Sequence, residues 1–195
     1  MAGCNLASGR GYFCGGQVGG IKKVFLAYYP DDEAIISVTA GATDGIVTGL
    51  TNKTGSGTLA FYEFDLDRQL SSFNQTILTG KGGAVAYQTD LELHMSHDSE
   101  ESWARMQNVA EGLFQIIILD NNGVYYLAGV ENGIEVGGGS FAHGGDVAYT
   151  DYVGYVISLT GAESVPAYNM STTNPFTTFS TKIVKSATTY NTAQV

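Results

Sequence analysis

Five carboxylates and a histidine recur at every second position along two stretches of this chain. Glu63, Asp65 and Asp67 do so in Thr58–Asp67, and Asp90, Glu92 and His94 in Ala84–Met95. Period-two alternation puts them on one face of extended strands, with Leu66, Leu91, Leu93 and Met95 on the other. Paired carboxylates at a suitable separation hydrolyse glycosides, but such sites also need a pocket and neighbours that drive two pKa values apart. Nothing in the sequence points to either, so the carboxylates read as a wet strand face. No enzyme and no cofactor is expected.

Other chemistry-bearing residues lack the spacing their chemistry requires. His94, His97 and His143 do not form an H-E-x-x-H arrangement, and Ser158-Leu159-Thr160-Gly161 is not a G-x-S-x-G elbow. Asp120-Asn121-Asn122-Gly123 lacks the downstream glutamate of a calcium loop. Gly15-Gly16-Gln17-Val18-Gly19-Gly20 lacks the order of a phosphate-binding loop. Cys4 and Cys14 are the only cysteines and have no histidine beside them, so no metal is expected; reduced thiols or a disulfide both fit. With 19 acidic and 9 basic residues the net charge is −10, which opposes DNA binding through a basic patch. It permits a surface that DNA passes without adhering. No run approaches the ~20 apolar residues of a membrane helix. The first residues do not read as a signal peptide, so the sequons at Asn52, Asn74 and Asn169 read as chance matches.

The elements that would position these residues are mainly strands. There are 26 glycines and 12 tyrosines, and only 14% of residues are charged. Strands are expected at Lys23–Tyr29, Glu33–Val38, Ile46–Thr48, Leu113–Leu119, Val124–Val130 and Tyr152–Leu159, with Gly41–Gly57 and Glu131–Asp151 as loops. Residues 58–95 read as one long hairpin turning at Gly80-Lys81 in a two-residue type II′ turn. That turn sets Asp67 against His94, Gln69 against Glu92, Ser71 against Asp90, Phe73 against Gln88 and Thr76 against Val85. It also lays the stem of Arg68 over Leu93. One helix is expected over 97–112, capped by Ser96 or Asp98 and ended by Gly112. Its stripe of Trp103, Met106 and Val109 would pack on the dry side of the hairpin, Leu66, Leu70, Leu91, Leu93 and Met95. Residues 1–20 read as an N-terminal arm, 21–168 as the folded domain and 169–195 as a Ser/Thr-rich C-terminal arm.

Several blocks, taken in order, resemble the tail-tube proteins of tailed bacteriophages. They are Gly19–Leu26, Ala60–Phe64, Leu119–Leu127, Gly129–Gly133 and Gly154–Glu163. The resemblance implies a β-sandwich or barrel with one flanking helix. Subunits would assemble into six-fold rings that stack as a tube, and hairpins of neighbouring copies would line its bore. Glu63, Asp65, Asp67, Gln69, Asp90 and Glu92 would then lie at or near a lumen that conducts DNA during ejection. The partners implied are other copies of the chain, other tail proteins and DNA in passage, in a virion tail assembled in the host cytoplasm. A tail terminator, connector or neck protein is the alternative within the virion, and a surface binding sandwich the alternative outside it.

Overall fold

The computed structural model describes residues 18–29, 36–40, 46–52, 59–96, 106–143, 153–170, 175–178 and 181–184. Twelve strands follow in order: β1 (Ile21–Tyr28), β2 (Ile36–Ala40), β3 (Val47–Asn52), β4 (Leu59–Asp65), β5 (Ser72–Thr79), β6 (Val85–Ser96), β7 (Leu113–Asp120), β8 (Tyr125–Ala128), β9 (Ile134–His143), β10 (Val153–Glu163), β11 (Tyr168–Asn169) and β12 (Thr181–Val184). Residues 106–110 form α1 and Pro175–Thr178 form α2. The protein is mainly β, as composition implies.

Ten strands make one sheet, in the order β12-β4-β1-β7-β9-β10-β6-β5, with β8 joined to β7 and β11 to β8. All its ladders are antiparallel except β12 on β4. β2 and β3 form a separate hairpin. β1 and β7 are apolar along their whole centre because both faces are covered. On one face Val24, Leu26, Ile116 and Ile118 join Leu66, Leu91, Leu93, Ile157 and Leu159 in a single cluster. On the other, Phe25, Ala27 and Ile117 pack with Phe61, Leu127, Val130 and Met170 under Val47 and Leu50 of β3. Each such side chain removed from water contributes about 1.5–3 kcal/mol before entropy is counted.

The expected hairpin of 58–95 is two separate pieces. β4 pairs with β1, not with β6, and of the two expected arms only the β5 segment pairs with β6. Between β4 and β5 the chain turns at Asp67, whose carbonyl accepts the N–H groups of Leu70 (3.1 Å) and Ser71 (3.0 Å). That turn rotates Ser71 inward and leaves Leu70 52% exposed, so Leu70 is not part of the helix-packing core. Arg68 is exposed on the same turn instead of lying over Leu93.

The β5–β6 register also differs from the expected one. Val85 pairs with Thr79 instead of Thr76, and Phe73 faces Leu91 instead of Gln88. The cause is the turn: Gly80 N–H donates to Ala84 carbonyl (2.8 Å) and Gly83 N–H to Gly80 carbonyl (3.1 Å), closing a three-residue loop with Gly83 at φ 78°. A β-turn followed by a left-handed glycine satisfies the strand twist as well as a two-residue turn does. Asp120–Val124 closes in the same way, with Gly123 at φ 85°.

The expected helix is described from residue 106 onward; Trp103 and the rest of 97–105 lie outside the described residues. Val109 is buried, and Met106 and Met95 pack partly buried against the cluster that holds Leu66, Leu91 and Leu93. Gly112 N–H donates to Val109 carbonyl (3.2 Å) as the helix gives way to β7. Part of the expected 169–195 arm belongs to the sheet: β12 lies along β4, and Phe176 of α2 packs on Phe25 and Phe61 at centroid distances of 4.5 and 5.6 Å.

Candidate functional site

The carboxylates of the two arms share one side of the large sheet, opposite the Leu91–Leu93 cluster, but fall into separate groups. Glu63 and Asp65 lie on β4 beside Lys23 of β1, whose cross-strand partner is Asp65. The Lys23 ammonium bonds Glu63 Oε1 and sits 2.8 Å from Asp65 Oδ1. The Glu63 side chain is only 7% exposed and that of Asp65 is 79% exposed. These two acids are therefore neutralised in part by a cation that sequence spacing did not bring to them.

Burial pulls the Lys23 pKa down, but hydrogen bonds to Asp65 and Glu63 and their charges outweigh it, holding the ammonium above its ordinary 10.5. Burial likewise raises the phenols of Tyr125, Tyr126 and Tyr168 above 10.0. Each group holds its proton more tightly when folded. The stability it contributes is thus complete below its unfolded value and is lost as pH rises through the folded one. Denaturant midpoints should fall as pH passes 10.0 and then 10.5, and Lys23→Met should make that fall shallower. Parallel pH curves for the two proteins would show that the ion pair contributes nothing.

The second group stands on β6. Gln88, Asp90, Glu92 and His94 project from the wet face, while Thr89, Leu91 and Leu93 are buried on the other. Asp90 Oδ1 accepts hydrogen bonds from Thr160 Oγ1 (2.8 Å) and Gln88 Nε2 (3.0 Å), and Glu92 Oε1 lies 3.0 Å from His94 Nε2. Asp67 joins this group from the turn, since its N–H donates to the His94 carbonyl (2.8 Å) and its carboxylate accepts from Ser96 Oγ (2.9 Å). Gln69 is exposed on the same turn; the residue opposite Glu92 is Ser72.

The ladders extend this face across four strands. Asn74, Asp90, Thr160 and Glu135 form one cross-strand row, and Ser72, Glu92, Ser158 and Gly138 the next. β5, β6, β9 and β10 contain no lysine or arginine. The result is a broad surface of carboxylates, hydroxyls and amides without a cation of its own. Among the described residues no three His, Cys, Asp or Glu side chains group as a metal site. No described helix is long and apolar enough to cross a membrane.

Two polar arrangements were not visible in the residue pattern. Glu163, 3% exposed at the end of β10, accepts the N–H groups of Gly129 (3.0 Å) and Glu131 (2.7 Å). In return Glu131 accepts the N–H of Ser164 (3.1 Å), and Asn132 Nδ2 donates to the Ala162 carbonyl (2.8 Å). This latch fixes the bend where the chain leaves β8 and starts β9. The one available signal was a carboxylate closing the apolar run of β10. At the other end, Asn122 holds Val18 through both its amide atoms, Nδ2 to the Val18 carbonyl (2.9 Å) and Oδ1 from the Val18 N–H (3.0 Å). That side chain imitates a strand partner for residue 18.

Comparison with protein-family models, curated proteins and solved structures finds no match to this chain. Geometry and charge therefore carry the functional reading.

Proposed function

We propose that this chain is a structural subunit of a phage tail tube, self-assembling in rings whose acidic inner face lets DNA pass. The observation that carries this reading is the cation-free polar face of β9-β10-β6-β5. A surface that offers phosphates carboxylates and hydroxyls but no lysine or arginine gives DNA no counter-ion-releasing contact. Such a face suits conduction better than binding.

Assembly is supported by the strand edges. β5 ends the sheet, and residues 136–143 of β9 have no strand on their outer side among the described residues. Neither edge carries a charge or a proline, the devices that usually keep exposed edges apart. The clustering of β1, β4, β6, β7 and β10 side chains around one core, with the Asp67 turn bonded to β6, favours a barrel-like closure of the subunit. Asp90, Glu92 and Glu135 would face the bore, with Asp67 at its rim. Glu63 and Asp65, held by Lys23, would lie away from it.

The test is electron microscopy of the purified protein across a concentration series, with and without tail-tube seeds. Long tubes of uniform bore are expected. Single rings that never lengthen would point to a terminator or connector, and persistent monomers under both conditions would overturn the reading.

A further inference from the structure

A groove of about 500 Å³ lies between α1 and the outer edge of β9, lined by Met106, Ala110, Val136, the Gly137–Gly139 backbone, Phe141 and Tyr155. None of its lining residues is charged. α1 stands where β7 would otherwise continue along β9, since the β7–β9 ladder stops at Leu113 and Glu135. The same chain exposes an apolar knob: Ile77 is 63% exposed, Val85 48% and Leu78 41%, all near the tip of the β5–β6 hairpin. The knob cannot reach its own groove. Groove residues Tyr155 and Ile157 pair with Met95 and Leu93, so at least eight residues of β6, roughly 25 Å, separate them from Val85.

We propose that this groove is the socket for the β5–β6 hairpin of a second copy of the chain. The inference rests on the self-assembly reading above and names its joint. Strand direction agrees: β9, β10, β6 and β5 alternate, so a copy repeated by rotation presents its β9 antiparallel to the neighbour's β5. Length agrees too, because β5 has 8 residues and the stretch of β9 without an outer strand among the described residues spans 136–143.

Side-chain parity then selects the register. Ile77 shares the inner face with Phe73 and Leu91, and Gly139, opposite Ile157, is on that face. Leu78 and Gly138 are both on the outer face. Setting Ile77 against Gly139 and Leu78 against Gly138 places the two largest exposed β5 side chains over residues without side chains. It also brings Lys81, the only cation of the hairpin, level with Glu135, whose neighbour across the ladder, Leu113, follows Glu111 by two positions.

The register has a geometric consequence. Within one copy the level of Gly139 runs through Ile157 and Leu93 and, extended, meets Ser71; across the joint it meets Ile77, six residues further along. Six residues of rise over four strand spacings tilt the strands by roughly 45°, the inclination that closed barrels adopt.

Cysteine cross-linking tests the joint in the full chain carrying Cys4→Ser and Cys14→Ser. A Cβ at Gly138 meets no atom within 4 Å and Leu78 is exposed, so Leu78→Cys with Gly138→Cys should leave the fold intact. Under mild oxidation this pair should give a ladder of covalent multimers, and Thr76→Cys with Gly138→Cys should not. Separately, Ile77→Asp should raise the protein concentration needed for assembly by about ten-fold or more without changing the melting temperature. Uniform tubes that show no ladder would overturn the socket and leave the tube reading standing. A ladder from protein that forms no tubes would keep the socket and overturn the tube. A ladder from the Thr76 pair alone would overturn the register, and monomers without a ladder would overturn both readings.

Discussion

Glu163→Ala is expected to destabilise the protein by about 3–5 kcal/mol, measured by urea unfolding at neutral pH. The carboxylate receives two backbone N–H groups, from Gly129 and Glu131, in a place that is 3% exposed. Hydrogen bonds to a charged acceptor contribute about 1.5–3 kcal/mol each, and orphaned buried donors cost about as much again as the bond they lose. Glu163→Gln keeps the shape but turns an acceptor into a donor facing an N–H, so about half of that loss should remain. The damage should concentrate at the β8–β9 bend, where Gln115 Nε2 also donates to the Val130 carbonyl (3.2 Å). A loss below about 1 kcal/mol for the alanine variant would mean that water takes over the role of the carboxylate.

Asp90→Lys combined with Glu92→Lys is expected to slow DNA release from assembled particles by about ten-fold or more at low salt. This follows from the proposed tube. Each subunit would gain two cations on a face whose four strands have none, and repetition around every ring would line the bore with phosphate contacts. Such contacts weaken steeply with ionic strength, so the delay should shrink as salt is raised. Both side chains lie on the wet face and neither is in an apolar cluster, so subunits should still fold, with a melting temperature lowered by loss of the Thr160 and Gln88 hydrogen bonds to Asp90. Release kinetics identical to the parent's, in particles verified to contain both substitutions, would remove these residues from the path of DNA.

The residue pattern made the faces legible but not the partners. Alternation along β6 correctly separated Asp90 and Glu92 from Leu91 and Leu93, because one side of that strand meets the core and the other meets water. It could not show the break at Asp67. No glycine or proline marks Asp67-Arg68-Gln69-Leu70-Ser71, and the turn is held by main-chain hydrogen bonds and by Ser71 Oγ accepting the His94 N–H (2.9 Å). A turn at Gly80-Lys81 is legible, yet Gly80 and Gly83 are both competent in a tight turn, and only the three-residue closure from Gly80 to Ala84 fixes the ladder. β9 was missed for the opposite reason. Gly137-Gly138-Gly139 has low intrinsic strand preference, but a Cβ at Gly139 would come within 2.8 Å of the Val156 carbonyl, so tertiary packing there demands glycine. Lys23 escaped notice as a partner of Glu63 and Asp65 because the contact depends on β1 lying beside β4.

β1 and β7 are covered on both faces, whereas β5 is held by one ladder and one turn. Stiffness in such a body is distributed unevenly: the centre resists deformation because two layers must separate before it yields, and compliance lies at the rim. In the proposed tube, a long array of these subunits would bend by small adjustments at many joints while every centre kept its shape. Curvature would then be absorbed at the β5 edge of the acidic face without strain reaching β1 and β7.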